Sequence, residues 1–347
     1  MTPRATVVYW QGLDDLPRDG GGLRVRAWDA ALRELGYDVA VAGLQSAGAT
    51  SGHGRSPLSA AVHTAKQRLA PLPSRRAFTG APADLTVVAV PAAVPSVLDR
   101  AGPVIVDWMD LWSEVAATWA RSADRLETRL GARVQLRLWA ARERRAFASG
   151  VRHTFAGWAD AETARAAGAR EPRWLPTPVS ATPRPPRPAR GVATVGMIAN
   201  FDHRPNVEAL HGFLAAWGPT LRARGVAVVV AGLGSDAVGV PAWVRRTGRV
   251  EDVTTFYDAV DAVVVPVELG GGIKVKALEG LVHGLPVFGT DHVRAGLPPA
   301  WRPALRPLAP GWLDGSVAGA SVDLSGLTTG AFVDGVRTLL DRRETVV

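Results

Sequence analysis

The stretch DAVVVPVELGGGIKVKALEGLVHGLPVFGT, residues 261–290, indicates the fold of the chain most directly. Its apolar, β-branched run over residues 262–267 predicts a buried strand, and the three glycines at 270–272 predict a turn. Apolar side chains then recur at helical spacing over residues 273–281, and a Gly-Leu-Pro sequence ends that helix as a strand over residues 285–290 begins. The order of elements predicts one unit of an α/β sheet.

The turn formed by Gly270, Gly271 and Gly272 leads from a strand into a helix, where backbone N–H groups can converge on an anion. Lys274 lies in the first predicted helical turn and adds a positive charge, while Glu279 can accept both hydroxyls of a ribose. These positions predict a nucleoside-diphosphate site. The alternative is a glycine-capped turn in a buried βαβ unit with a solvated basic helix face.

Lysine is rare in this chain, because only Lys66, Lys274 and Lys276 are lysines among 40 basic residues. An ammonium and a guanidinium bind phosphate differently, so a lysine kept against this bias indicates a specific role for Lys274. Lys276 is two positions further, about 200° around the helix, and we expect it to point to solvent.

Length and composition limit the classes of protein that fit. The 347 residues suffice for two domains, and 47% hydrophobic with 21% charged residues is typical of a globular chain. The absence of cysteine excludes disulfides, thiolate metal sites and cysteine nucleophiles. No signal pattern or membrane-spanning run is visible, so we expect a cytoplasmic protein.

The net charge of +8 is spread over scattered arginines with no dense basic run. This favours phosphorylated small ligands over nucleic acid, with weak peripheral membrane contact as a further expectation. The oligomeric state is left open between monomer and dimer. Heavy use of arginine, alanine and glycine suggests a GC-rich bacterial source.

The first half of the chain alternates predicted strands and helices, as a parallel sheet requires. The predicted strands are residues 6–10, 39–42, 85–90, 104–107 and 151–158, and the predicted helices are 24–35, 58–69, 111–148 with a break near Gly131, and 160–167. The second half repeats this alternation from residue 192.

Between residues 176 and 190 proline is too dense for a helix or a central strand, and we interpret this stretch as a stiff linker. The predicted domains are therefore 1–178 and 191–325, joined by the linker 179–190. A last helix within 326–347 is expected to pack back on the N-terminal domain.

Two more loops of the second domain have residues suited to a nucleotide. In GMIANFDHRPN, residues 196–206, Arg204 can bind a phosphate and Asn200 can add a hydrogen bond, although an ordinary helix entry also fits. The turn of Gly248, Arg249 and Val250 can present its backbone to a base edge. The Gly-Leu-Gly-Ser turn at 232–235 resembles a dinucleotide fingerprint, but no helix follows, so we interpret it as a loop that lines the cleft.

In the first domain, Asp107 and Trp108 end a buried strand at the edge where such sheets bind ligands. Asp110 follows them and can orient or deprotonate an acceptor hydroxyl, or else cap the next helix. The glycine turn 20–22 faces a ligand or forms a plain surface loop.

The remaining polar and aromatic residues give no further site. Trp108, Trp112 and Trp119 are more consistent with core packing than with a stacking wall. His283 is expected to be a solvated imidazole at a helix end. No metal-ligand spacing is present, so we expect neither a metal nor a cofactor.

The second domain resembles the sugar-nucleotide domain of family-4 retaining glycosyltransferases, which have the GT-B fold. The resemblance is carried by GMIANFDHRPNVEALHGF, VVVAGLGS, RTGRVEDVTTFYDAVDAVVVPV and GGGIKVKALEGLVHGLPVFGT, and covers residues 192–298. It implies an α/β fold with two facing Rossmann-like domains and an interdomain cleft. By resemblance, Arg204 and Lys274 bind the diphosphate, Val250 contacts the base and Glu279 holds the ribose. Many members have a further glutamate eight positions before the one that matches Glu279, where this chain has Gly271. The GGGIKVK form belongs to a branch that does not have this further glutamate.

The resemblance implies transfer of a sugar from a nucleoside diphosphate, UDP or dTDP by expectation, to a hydroxyl of a small-molecule or lipid-linked acceptor. It further implies retention of configuration without a metal. The GC-rich bacterial source suggested by composition adds natural-product or cell-envelope glycosylation as an expectation. Lys274, Arg204 and Asp110 are the predicted catalytic residues, and the predicted donor-binding residues include Ile273 with the loops named above. A sugar-nucleotide epimerase or hydrolase is the alternative enzyme, and a non-catalytic sugar-nucleotide-binding protein is the alternative of another class.

Overall fold

The computed structural model describes residues 1–16, 19–44, 78, 80–98, 102–123 and 126–341. Contacts group the chain into two compact units. Unit 1 comprises Met1–Thr177, Gly270–Gly272 and Gly330–Val347, and unit 2 comprises Pro178–Leu269 and Ile273–Thr329. The helix predicted at residues 58–69 lies outside the described residues.

Unit 1 contains a parallel sheet that has six strands in the described residues, in the order β2-β1-β3-β4-β5-β6. The strands are β1 Arg4–Tyr9, β2 Asp38–Gly43, β3 Leu85–Val88, β4 Val104–Trp108, β5 Arg152–Phe155 and β6 Arg173–Trp174. The helices are α1 Gly20–Glu34, α2 Val94–Val97, α3 Trp112–Ser122, α4 Leu126–Phe147, α5 Trp158–Ala166 and, from the end of the chain, α10 Thr329–Asp341.

Helices cover both faces of this sheet, which explains why its central strands are apolar throughout. On one face, Trp28 of α1 and Phe332 of α10 pack with ring centroids 5.5 Å apart beside Val7 of β1. On the other face, Phe147 of α4 lies against Trp108. The C-terminal helix is therefore part of the core of unit 1.

Unit 2 contains a second parallel sheet, also with six strands in the described residues, in the order β12-β11-β10-β7-β8-β9. The strands are β7 Thr194–Ile198, β8 Ala227–Ala231, β9 Val244–Arg246, β10 Ala262–Val265, β11 Val287–Gly289 and β12 Leu305–Pro307. The helices are α6 Arg204–Ala223, α7 Val253–Asp258, α8 Val275–Val282 and α9 Asp291–Ala295. The predicted α/β class, with two Rossmann-like parallel sheets, is confirmed.

Strands β7 and β10 are neighbours at the centre of the second sheet, where Val263 pairs with Gly196. A side chain at Gly196 would overlap the ring of Phe256, so the glycine lets α7 pack closely on the sheet. Because adjacent parallel strands end at the same edge, the loops after β7 and β10 start side by side.

Two element predictions for unit 1 were wrong. The residues Gly20, Gly21 and Gly22 form the first turn of α1 rather than a loop, because Asp19 caps the helix by accepting a hydrogen bond from the Gly22 N–H at 3.0 Å. The break in the helical region lies between α3 and α4, whereas Gly131 is inside α4.

The Pro-rich stretch, predicted to be a linker, is held on unit 2. The N–H of Arg184 donates to Val282 O and that of Arg187 donates to Gly284 O, each at 2.8 Å. The Arg187 guanidinium also donates to Tyr257 O at 2.9 Å. The segment thus runs across the C-terminal end of α8. Within the described part of the chain, no helix is both long and apolar enough to cross a membrane.

Candidate functional site

The N-terminus of α8 lies at the carboxyl edge of the unit 2 sheet, next in the chain to the glycine turn. Lys274 is the N-cap residue, with extended backbone angles, and the helix starts at Val275. Its first N–H groups and the positive end of its dipole favour an anion there. The structure thus places Lys274 at the helix start, one position before the turn in which it was predicted.

Lys276, expected to point to solvent, instead points into the protein. It is half-buried, and its Nζ donates to Asn206 Oδ1 at 2.9 Å. Burial, followed by the charge of Lys274, lowers the pKa of Lys276 to about 7. The prediction failed because the first turn of α8 faces the start of α6, so the second lysine of the motif is the inward one.

Asn206 joins the two loops that begin at the sheet edge. Its Nδ2 donates to Asn200 O at 2.8 Å while its Oδ1 accepts from Lys276. Of the two asparagines, only Asn200 was predicted to bind the donor. The signal was present, since both asparagines of the chain fall in this one loop.

Glu279 lies one turn further along α8 than Lys276 and is half-buried. The hydroxyl of Tyr257, a fully buried residue of α7, donates to Glu279 Oε2 at 2.6 Å. Burial raises the pKa of Glu279, and the Tyr257 hydrogen bond and the Lys276 charge oppose that rise. The Tyr257 hydroxyl therefore holds the Glu279 carboxylate in one orientation. Tyr257 was not among the predicted site residues.

His283, expected to be solvated, is 1% exposed. Its ring stacks on Tyr257 with centroids 4.6 Å apart and planes at 18°. Burial, followed by the positive charge of Arg184, lowers the pKa of His283, so the imidazole is neutral near pH 7. Within the described residues neither ring nitrogen has a hydrogen-bond partner. The Pro-rich segment covers this helix end, which explains the burial.

Arg204 is the first residue of α6 and lies on its exposed side. Its Nε donates to Glu208 Oε1 at 2.5 Å, an i,i+4 pair with both side chains partly in water. Such a pair is weak, so a phosphate can compete for the guanidinium. Asn200 Oδ1 accepts from the Asp202 N–H at 3.0 Å, which shapes the turn before the helix.

The predicted base-contacting turn follows β9. Gly248 has φ +72 and its carbonyl accepts from the Gly232 N–H at 2.9 Å. Val250 packs against the core, and Arg249 is exposed. Gly232 has φ +112, and a Cβ there would overlap the carbonyl of Ala199, so this turn is pressed against the loop after β7.

The predicted acceptor-side residues Asp107 and Trp108 lie inside unit 1. Asp107 forms a buried ion pair with Arg24 (Nε to Oδ2 2.7 Å, Nη2 to Oδ1 2.6 Å) and accepts from the Thr154 hydroxyl at 2.6 Å. Trp108 is 2% exposed and stacks on Phe155. Neither side chain can bind an acceptor. Arg24 was not among the predicted site residues, and it is 83 positions from its partner.

Asp110 remains at the carboxyl edge of the unit 1 sheet and is half-buried. Leu111 is the N-cap of α3, so Asp110 does not cap that helix. Within unit 1, Gly272 lies against it: a Cβ there would come within 2.7 Å of Asp110 Oδ1, and the Gly272 N–H donates to Asp160 Oδ2 at 2.9 Å. With φ +64, position 272 also favours glycine.

Tyr9 adds a polar group near Asp110 that sequence analysis did not select. Burial, then the charges of Asp19 and Asp110, raise the pKa of its hydroxyl. A side chain at Gly21 would overlap that hydroxyl, which accounts for a glycine in the first turn of α1.

Residues 192–302 match the family model of Glycosyl transferases group 1. The matched segment contains Asn206, Tyr257, Lys276 and Glu279, together with the predicted donor loops. No curated protein matches the chain.

Two solved structures share the fold. Sucrose-phosphate synthase from Thermosynechococcus elongatus is 14% identical with a TM-score of 0.58, over 98% of this chain and 90% of that chain. Anabaena HepE, solved in complex with UDP and glucose, is 12% identical with a TM-score of 0.50, over the same shares. At these identities the likeness concerns the fold alone.

Among the described residues, no three His, Asp or Glu side chains lie close enough together to hold a metal ion. The cationic groups of the candidate site are lysine and arginine side chains and a helix N-terminus.

Proposed function

We propose that this chain is a glycosyltransferase that moves a sugar from a nucleoside diphosphate to a hydroxyl acceptor. One observation carries the proposal. Within the segment that matches Glycosyl transferases group 1, the start of α8 brings together Lys274, the inward Lys276 and a glutamate fixed by a buried tyrosine.

The diphosphate is proposed to bind at the N-terminus of α8. Negative charge grows on the leaving diphosphate as the bond to the sugar breaks, and fixed cations stabilise that charge best. Lys274 and the helix N–H groups supply positive charge from one side of the diphosphate. Lys276 supplies it from its position beside Asn206. An arriving diphosphate raises the pKa of Lys276 and keeps the ammonium charged.

Glu279 is proposed to hold the ribose. Its Oε2 is occupied by the Tyr257 hydroxyl, which orients the carboxylate and leaves Oε1 for a sugar hydroxyl. The Gly248 turn would then meet the base, with UDP or dTDP as the proposed nucleotide. Asp110 is the proposed acceptor-side group of unit 1.

Retention of configuration and catalysis without a metal are the finer parts of the proposal. They rest on the family resemblance and on the lysines, which supply positive charge where other enzymes use a divalent ion. The acceptor is proposed to be a small molecule or a lipid-linked sugar.

Calorimetric titration of UDP, dTDP, GDP and ADP into the wild-type chain and Lys276→Gln tests the donor site. We expect one nucleotide to bind in the micromolar-to-millimolar range, and the variant to bind it about tenfold more weakly. Arg245→Gln, which removes an exposed cation from β9, is the matched control and should leave affinity unchanged. Equal affinity for all three proteins, or none for any nucleotide, would contradict the proposal. Release of free sugar without transfer would favour the hydrolase alternative.

A further inference from the structure

Helix α4 carries an aliphatic row on its outer face. Among the described residues, four of the exposed large apolar side chains lie at every fourth position of this helix: Leu126, Leu130, Val134 and Leu138, which are 67, 50, 56 and 46% exposed. A step of four residues advances about 40° around a helix, so the row is nearly continuous and about 18 Å long. The opposite side of α4 is buried, through residues such as Trp139 and Phe147.

Arginines accompany this row. The exposed positions of α4 include five arginines against one acidic residue, Glu127, and the arginines are Arg129, Arg133, Arg137, Arg144 and Arg145. Aliphatic tips flanked by guanidinium groups are typical of a helix that lies in a bilayer surface. The apolar side chains enter the headgroup boundary there, and the cations meet anionic lipids.

The geometry points to α4 as a surface that docks on an anionic lipid bilayer. Hereafter, "the docking face" means the four aliphatic residues and five arginines named above. This inference concerns unit 1 alone and does not depend on the proposed function.

The charge of the docking face argues against a second copy of the chain. A two-fold dimer would bring the same face together from both copies, and ten arginines would then face only two copies of Glu127. Nucleic acid fits less well. Single strands are bound by cations together with aromatic side chains, and a duplex presents phosphates that give an aliphatic row nothing to contact. Anionic lipid satisfies both the apolar and the cationic part.

Flotation of the full chain with vesicles tests the inference. One set of vesicles contains equal parts of phosphatidylcholine and phosphatidylglycerol, and the other contains phosphatidylcholine alone. We expect binding to the anionic vesicles, little to the neutral ones, and weakening as salt rises.

Two variants test the two components of the docking face. Arg133→Gln with Arg137→Gln removes charge, and Leu130→Gln with Val134→Gln removes apolar contact. Each pair should lower vesicle partitioning about tenfold or more. Arg170→Gln with Arg245→Gln, an equal loss of exposed charge elsewhere, should bind as wild type.

Thermal melting of every variant serves as a folding check, since all altered positions are exposed. Vesicle binding that the two α4 variants leave unchanged, or that is lost equally in the control, would overturn the inference. An absence of binding to anionic vesicles would also overturn it. In that case, a dimer that Leu130→Gln with Val134→Gln disrupts would indicate a second copy as the partner. A gel shift of single-stranded nucleic acid would indicate nucleic acid instead.

Discussion

The two units have the same parallel-sheet architecture, but their charged side chains lie in contrasting surroundings. In unit 1, the arginine of α1 and the aspartate at the end of β4 neutralise each other, with side chains 1% and 0% exposed. In unit 2, the cations at the start of α8 remain half-buried, and Lys276 contacts a neutral amide. A buried ion pair of this kind belongs to the core of the fold, whereas cations at the start of a helix suit the binding of an anion.

The hydrogen-bond partners show the same contrast. Asp107 accepts from both Arg24 and Thr154, which are fixed parts of the core. Glu279 accepts from Tyr257 on one oxygen, Oε2, and its side chain is half-buried. We therefore expect changes in unit 1 to alter stability and equivalent changes in unit 2 to alter ligand binding.

Asp107→Ala should give the largest effect. It leaves the Arg24 guanidinium buried without its carboxylate, and we expect a loss of about 3–5 kcal/mol in the free energy of unfolding, or failure to fold. Chemical denaturation measures it. The control is Asp314→Ala, which breaks the exposed pair with Arg224 and should cost less than about 1 kcal/mol. Similar losses of stability in the two variants would show that the buried Arg24–Asp107 pair does not stabilise unit 1 more than an exposed ion pair does.

The second-largest effect concerns Lys276, which should make the free energy of unfolding depend on pH. Its pKa falls from 10.5 unfolded to about 7 folded, so between these values the unfolded chain binds more protons and stability rises with pH. We expect wild type to gain up to a few kcal/mol over Lys276→Met between pH 7 and 10, less than the full shift implies because the side chain is half-buried. Parallel pH curves for the two proteins would contradict the buried position of Lys276.

Nucleotide binding should reveal the same lysine as proton uptake. At pH 8 the Lys276 side chain of the ligand-free protein is largely deprotonated, and a bound diphosphate favours its charged ammonium form. Calorimetry in buffers of different ionisation enthalpy should therefore show uptake approaching one proton by wild type and much less by Lys276→Met. Arg245→Gln, which leaves both lysines at the start of α8 in place, is the control and should retain the uptake.

Much of the fold could be predicted from local sequence. The β-branched runs and the glycine and proline residues that punctuate them located both sheets, because buried parallel strands require such runs. The glycine turn and α8 were also visible, since strand, turn and helix follow each other directly. Gly20–Gly22 were missed because glycine disfavours a helix, and only the cap at Asp19 and the close approach of Tyr9 explain them.

The details of the site depend on contacts between distant parts of the chain. Whether Lys276 faces inward depends on the position of Asn206 in the first turn of α6, 70 positions earlier. The burial of His283 depends on the Pro-rich segment, which lies almost a hundred positions away. The Arg24–Asp107 pair joins α1 to β4 across 83 positions. Composition and periodicity carry no information about such pairings, so these predictions failed while the elements themselves were found.

Tyr257→Phe should give a smaller effect that separates orientation from charge. It removes the hydroxyl that fixes Glu279 and keeps the ring that stacks on His283. We expect a loss of about 1 kcal/mol in stability and a several-fold loss in affinity for the nucleoside diphosphate. Titration with the free base or with pyrophosphate, which lack the ribose, should show no change. An equal loss for pyrophosphate would mean that the tyrosine supports α8 as a whole.

Glu208→Gln should have the smallest effect on stability and tests whether Arg204 serves the ligand. The pair lies on the exposed side of α6, so its loss should change the free energy of unfolding by less than about 0.5 kcal/mol. Release of the guanidinium should leave nucleotide affinity equal or slightly higher, because the phosphate no longer competes with a carboxylate. Arg204→Gln in the same background should then weaken binding. If Glu208→Gln weakens binding as Arg204→Gln does, the ion pair itself organises the loop after β7, and the contrast between neutralised charge in unit 1 and available charge in unit 2 would not extend to Arg204.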